Sequence, residues 1–559
     1  MSHLSKVFNK IPVKVQDRSG FDMSHENLFT AKVGTLIPAS VEEVMPGDVI
    51  SVGGAISVEL PPLATNFKGR VDARLEAFFV PNRLLWAGWK DFIVQAPNHK
   101  PAVPGFTIPA NVPQIVLNST NSAPGSLSDF LGVKQIQGGN PSTTVSALPY
   151  LAYWKIWDDW YRDSNIQQPY FLDGLTTPNN SGGYRAAFSP FLRESGILSS
   201  SGSGSTPYAS PYSWVGFNGM KCTDLAQRNF AKDYFTTMTT APQSGAASEL
   251  QFQITADSAG ATLINGDTVS DGDSLGTGKF SIASLRAANA LQKWLERNNI
   301  AGTRYYDQIL AHYGVLPSDA VFQRAVLLGA MTTPVVVNSI SQTAQQSTNG
   351  QTKNPYANST GAQFGRGNAF GKDRLIDNFE VKEHGYIFII FSLVPHAYYG
   401  TGCRRYMFAH YKSSDFAFPE FAGIGDQPVY KGEMYTPDIY GGPGTYTPIG
   451  YAQRYAEYKY HDDEVHGLLA DGQNLSAFVL QRGFNNTVSL NTSLLEIPTN
   501  FMDGVMTTTS GVSGFNAVVD CYFDAKYLRV LPEYSLPTLC ESEGDSGKTV
   551  LVNKGGTRL

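Results

Sequence analysis

The chain has 559 residues and a formal net charge of −6, from 42 Lys and Arg against 48 Asp and Glu, which excludes a global positive field drawing it to nucleic acid or an anionic membrane. Charged residues make up 16 % of the composition and aromatics 12 %, against roughly 25 % charged in ordinary soluble domains. Low charge with many Tyr and Phe is the composition of extensive protein interfaces, so self-association is the first functional expectation.

Residues 1–16 carry Lys6, Lys10 and Lys14 and no acid, and Arg18 follows in a polar stretch. Residues 1–30 read as an extended N-terminal arm. From Gly34 the sequence GTLIPASVEEVMPGDVISVGGAISVELPPL is apolar and punctuated by Pro and Gly, which predicts short strands and turns. In GRVDARLEAFFVP, Val71, Ala73, Leu75, Ala77 and Phe79 alternate with Asp72, Arg74 and Glu76, a period of two that places apolar residues on one sheet face. Two stretches have helical spacing instead. One is ALPYLAYWKIWDDWYRDSN, with Leu151, Trp154, Trp157 and Tyr161 on one side; the other is SLRAANALQKWLERNN, with Leu285, Ala288, Leu291 and Leu295.

Segments 171–215 and 241–281 are rich in Ser, Gly, Thr, Asn and Pro and predict long loops. The last third returns to strands. FEVKEHGYIFIIFSLVP is a nearly continuous apolar run of the kind buried on both faces, and NAVVDCYFDAKYLRVLP alternates Ala517, Val519, Cys521 and Phe523 against Asp520, Tyr522, Asp524 and Lys526. Strands at both ends, without strand–helix alternation or a repeat, predict an all-β antiparallel sandwich whose connecting loops have grown into subdomains.

Several short motifs suggest chemistry. DGDSLGTG at 271–278 fits a serine-esterase spelling, and Asp463 and His466 complete the order of an acyl-transfer triad with Ser274. That chemistry needs a strand ending at the serine and a helix starting after it, whereas Ser274 lies in an acidic, glycine-rich stretch that reads as a solvated turn. SEGDSGKT near the C-terminus has Ser542 where a phosphate-binding loop needs its first glycine, and GIGD at 423–426 lacks the third glycine of a dinucleotide loop. The nine histidines show no zinc spacing. The adjacent carboxylates Asp158–Asp159 and Asp462–Asp463 read as solvated surface or intersubunit partners. Cysteines 222, 403, 521 and 540 are widely spaced, which reads as reduced thiols made in a cytosol, in keeping with an N-terminus that lacks the apolar core of a secretory signal. The longest apolar run, 386–391 with Leu393 and Val394 beyond, is too short to cross a bilayer as a helix.

Seven co-linear landmarks carry a resemblance: FDMSHENLFTAKVGTLIPASVEEVMPGDVISV, LPYLAYWKIWDDWYRDSN, RNFAKDYFTTM, GTRYYDQILAHYGV, VKEHGYIFII, GIGDQPV and YAQRYAEYKY. In that order they resemble the major capsid proteins of the Microviridae, in particular the gokushovirus branch. The resemblance implies an eight-stranded antiparallel jelly roll of viral capsid type, spanning 31–559 as one domain with helical and loop insertions. It also implies assembly of sixty copies into a T=1 icosahedral shell around circular single-stranded DNA, without catalysis, cofactor or metal. The arm 1–30 is expected inside, with Lys6, Lys10, Lys14 and Arg18 facing the DNA. One insertion is expected to form a surface protrusion at each threefold axis; 241–285 is the candidate, with Asp271, Gly272, Asp273 and Ser274 at the host-contacting tip, and 171–215 is the other. Because a shell of subunits at −6 cannot neutralise a genome, a separate small basic DNA-binding peptide or bound cations are expected. The remaining expected partners are other virion proteins and a host cell-surface receptor, with no membrane insertion; the virion is expected to assemble in the host bacterial cytoplasm.

Overall fold

The computed structural model describes most of residues 18–94, 112–170, 221–242, 305–341, 363–506 and 515–532, together with short strands and a few helical positions elsewhere. Ten strands form its two main sheets: β1 (Ser19–Asp22), β2 (His25–Ala31), β3 (Ile37–Val44), β4 (Val49–Glu59), β5 (Val71–Pro81), β6 (Val326–Pro334), β7 (Val336–Ser341), β8 (Gln363–Glu380), β9 (Gly385–Pro395) and β10 (Ala517–Arg529). One sheet has the order β6-β5-β9-β3. The other runs β7-β8-β4-β10-β1, with β2 also pairing β10. Every pairing is antiparallel.

This is the two-sheet antiparallel jelly roll that the resemblance implies, with two strands beyond eight among the described residues. The extra two arise because the edge beside β10 is broken into β1 and β2, and because β7 adds an edge next to β8. Residues 19–31 therefore belong to a sheet, and the extended arm gives way to paired strand before residue 30. Ahead of them, Lys10–Val15 pairs with Lys548–Asn553 as a separate ribbon.

Sequence alternation decides which way each strand faces. The inner faces of both sheets meet in one core that contains Val71, Ala73, Leu75, Ala77 and Phe79 of β5 and Val519, Cys521 and Phe523 of β10. On β10 the opposite side chains Val518, Tyr522 and Leu528 are exposed, as the alternating pattern predicts for a sheet with one wet face. On β5 the prediction of a polar outer face fails. Asp72 is fully buried, and Phe78 and Val80 enter a second core. β9, the continuous apolar run, is buried at all eleven positions. Ile387, Ile389, Phe391 and Leu393 face the inner core, whereas Tyr386, Phe388 and Ile390 face the second one. The pairing of β9 with β5 runs without a register shift from Gly385↔Pro81 to Pro395↔Val71.

The second core is supplied by the long insertion between β5 and β6. Its helix α1 (Leu148–Ile156) continues into a π-helical turn at Trp157–Tyr161. The spacing predicts an amphipathic helix, but eight of the nine α1 residues are buried because the sheet lies on one side and residues 221–227 on the other. Four of its large aromatics use their polar atoms as anchors. Tyr153 Oη donates to the Leu36 carbonyl (2.8 Å) and accepts the Ala226 N–H (2.9 Å), and the indole N–H groups of Trp154, Trp157 and Trp160 donate to the carbonyls of Cys222, Gln227 and Ala325. Such pairing is what lets Tyr and Trp be buried without an unsatisfied donor.

Asp158 and Asp159, expected at the surface, are buried instead. The π-helical turn points them inward, where Asp158 pairs with Arg162 (2.7 Å), while Asp159 pairs with Lys155 (3.2 Å) and accepts the Ala325 N–H (2.8 Å) just before β6. Of the second predicted helix, positions 286, 290, 293, 294 and 297 are helical and exposed; Leu285, Ala288, Leu291 and Leu295 lie outside the described residues. A third core forms where Tyr234, Phe235 and Met238 of the insertion between β5 and β6 meet Val429 and Met434 of the insertion between β9 and β10.

At the turn from β2 to β3, Gly34 adopts φ +73°, and a Cβ there would lie 2.6 Å from the Ile497 side chain. Only glycine fits that approach. Truncating Phe388, which is sealed between the sheet and α1, to alanine is expected to destabilise the subunit by about 3–5 kcal/mol, read from the denaturant midpoint of the unassembled chain.

Candidate functional site

The acyl-transfer constellation does not come together in the described part of the fold. Ser274, with Asp271, Gly272 and Asp273, lies outside the described residues. The other two members, Asp463 and His466, do not form a dyad. The imidazole of His466 is exposed and pairs with Glu464 (Nε2–Oε2, 3.1 Å), whereas the Asp463 carbonyl accepts the Tyr399 N–H. A base oriented by a neighbouring acid on an exposed loop lacks the buried, aligned geometry that activates a hydroxyl.

Of the four arm cations, Lys6 lies outside the described residues. Lys10 and Lys14 are on the terminal ribbon strand Lys10–Val15. Arg18 makes an exposed ion pair with Glu380 at the end of β8 (3.1 Å). The structure therefore brings Lys10 and Lys14 onto one strand and ties Arg18 to the six-stranded sheet.

A cleft of about 640 Å³ lies where residues 232–239 meet the insertion between β9 and β10. Tyr234 and Tyr460 stack at 4.5 Å, and Tyr399 Oη donates to Asp233 Oδ2 (2.5 Å). Arg404 donates to Glu464 (2.6 Å) and, through Nη2, to His461 Nε2 (2.6 Å); His461 Nδ1 then faces the Asp462 carbonyl (2.9 Å). Both ring nitrogens of His461 are thereby engaged. Asp462, at the cleft, is pushed up to about 6 by burial first, then by the nearby Asp233, Glu464 and Glu433 carboxylates, with His461 opposing. Below it, Glu433 is raised by burial against the opposing charge of Arg405, to which it is salt-bridged (3.1 Å).

The sequence offered one signal for this region, the tyrosine-dense YAQRYAEYKYHDDEVH, and it was legible only as a landmark of resemblance. The partners Asp233 and Tyr399 lie far away in the chain, so no local pattern joins them. Among the described residues no group of three or more His, Cys, Asp and Glu is placed to hold a metal ion. Cys222, Cys403 and Cys521 are free thiols, and no helix is long and apolar enough to cross a membrane among those residues.

A two-sheet jelly roll extended by large insertions is an architecture that viral shell subunits use. The comparisons make this specific: the chain belongs to the phage capsid family described as "Capsid protein (F protein)", whose family model matches residues 9–539. It is 27 % identical to "Capsid protein VP1" of Chlamydia phage 1, across 95 % of this chain and 97 % of the relative. Its identity to "Capsid protein VP1" of Bdellovibrio phage phiMH2K is 25 %, and to that of Spiroplasma virus 4 it is 24 %, each over 96 % of this chain. The protein is a structural capsid protein of the Microviridae type and a component of the virion.

Asp462 gives a pH test. Its folded-state value, about 6, lies above its ordinary 3.8. Its protonated form therefore stabilises the fold at low pH, and that contribution is lost as pH rises through about 6. Asp462→Asn is expected to flatten the fall in stability between about pH 4 and 6.5, followed by chemical denaturation across that range; an unchanged slope would show that Asp462 does not titrate there.

Proposed function

We propose that sixty copies of this chain assemble into an icosahedral shell that encloses circular single-stranded DNA in the cytoplasm of a bacterial host, with surface loops making contact with that host. The observation that carries this reading is a complete two-sheet jelly roll in a chain that matches phage capsid proteins along nearly its whole length.

The wet face of the six-stranded sheet supports a DNA-facing role. It exposes Phe370 and Tyr522, on which bases can stack without regard to sequence. Its cations are largely engaged: Arg366 pairs with Glu59, Arg374 with Asp377 and Lys526 with Asp22. With net charge −6 per subunit, genome neutralisation falls to a separate small basic peptide or to bound cations, with Lys6, Lys10 and Lys14 of the arm contributing locally. Other virion proteins and a cell-surface receptor complete the partners. The insert 241–285, with Asp271, Gly272, Asp273 and Ser274, is the proposed receptor-contacting protrusion, and Ser274 acts there as an ordinary hydroxyl.

The native protein is expected to sediment as particles that hold nuclease-protected DNA; a chain that stays monomeric and free of DNA under all assembly conditions would remove the basis of this reading. Replacing Lys6, Lys10 and Lys14 together by alanine is expected to lower the protected DNA per particle while leaving shells intact. Ser274→Ala is expected to leave assembly and background ester hydrolysis unchanged, and a loss of hydrolysis in that variant would revive the esterase alternative.

A further inference from the structure

We propose that the aromatic shelf formed by residues 405–421 with Tyr458 is a contact surface for a second copy of this chain within the shell. The inference rests on the capsid reading and assigns one of its subunit seams.

The shelf begins at the short helix Arg405–Phe408. Arg405 and Phe408 turn inward, the first to Glu433 (3.1 Å) and the Pro428 carbonyl (2.6 Å), the second against the Tyr446 ring at 5.0 Å. Tyr406 and Met407 are thereby turned outward, 54 % and 68 % exposed. The next turn is pinned by the Asp415 carboxylate, which accepts the N–H groups of Tyr411 and Lys412. Tyr411 and Phe416 stand exposed on either side of it, followed by Phe418 and Phe421.

These side chains are held in place. Tyr455 is itself buried and has a left-handed backbone, φ 60°, fixed by the Gln427 side chain. Its hydroxyl accepts the Phe418 N–H and donates to the Phe416 carbonyl, bolting the strand of aromatics to the insertion core. The His410 ring lies between Phe416 (5.3 Å) and the half-exposed Tyr458 (6.2 Å), joining the two arms of the shelf.

Size and charge select the occupant. Seven half-exposed large side chains present about 100 Å² each, or roughly 700 Å², which exceeds the roughly 300–600 Å² of the largest patch on a typical monomer and approaches the ~800 Å² that each partner contributes to a stable interface. From Tyr406 to Gly423 the charged residues are Lys412, Asp415 and Glu420, and Asp415 is spent on the turn. That composition lacks the basic field an anionic membrane would require and matches the charge-depleted, aromatic centre of a protein interface. In a chain of the capsid family, the partner present in every particle is another copy of the chain.

The test uses the full chain. Phe418→Ser with Phe421→Ser is expected to raise the subunit concentration needed for particle formation by about tenfold or more, with the thermal transition of the unassembled subunit unchanged because both rings are already exposed; Phe418→Leu is expected to retain assembly. Hydroxyl-radical footprinting of the wild type is expected to show Met407, Tyr411 and Tyr458 protected in particles relative to unassembled subunits, a readout that holds even if the double variant fails to fold. Equal labelling of those residues in particles and subunits overturns the proposal, as does normal assembly of the double variant, including the case in which it assembles but no longer binds cells or lipid vesicles. A wild-type chain that forms no particles would instead sink the capsid reading itself.

Discussion

The subunit depends on a sheet that is dry on both sides. β9 lies between β3 and β5, and its alternate side chains enter two different cores, one shared with the facing sheet and one closed by α1 and its neighbours. Burying a large apolar side chain contributes about 1.5–3 kcal/mol, so the outer face of the four-stranded sheet cannot be left without its insertion. The helical insert between β5 and β6 is thus a structural layer of the jelly roll rather than an appendage.

Polar groups fix how that layer is seated. Glu76 on β5 receives both guanidinium nitrogens of Arg228 and the hydroxyl of Tyr161, and Arg228 also reaches Ser392 on β9. Burial pushes the Glu76 carboxyl up, but the Arg228 charge and the hydrogen bonds from Arg228 and Tyr161 outweigh it and hold the group below its usual range. A carboxylate satisfied in this way tolerates the interior and makes one docking of the insert far better than its neighbours.

The architecture was legible where the physical signal is local. Period two in 71–79 and 517–523 identified the inner faces, and the unbroken apolar run at 386–394 announced a strand buried on both sides. What local pattern cannot carry is the identity of the covering partner. Glu76 looks like a surface acid because Arg228 is brought to it only by the tertiary fold; Asp158 and Asp159 have their partners Arg162 and Lys155 one helical turn away, and what the sequence does not carry is that the sheet and residues 221–227 pack over that helix and bury them. The cleft around Asp233, Tyr399 and Asp462 was missed for the same reason, since Asp233 is more than one hundred and fifty positions from either of the other two. The aromatic shelf was visible only as the general excess of Tyr and Phe, because a core aromatic and an exposed one are spelled alike.

The position of β10 sets when a newly made chain becomes useful. It occupies the interior of the six-stranded sheet, between β4 and the broken edge formed by β1 and β2, yet it is the last strand of either sheet to leave the ribosome. Until residues 517–529 emerge, β4 and β2 have no common neighbour and the inner core lacks Val519, Cys521, Phe523, Ala525 and Tyr527. Pairings this distant in sequence form slowly. A nascent or truncated chain without residues 517–529 therefore has neither a closed inner core nor a continuous six-stranded sheet.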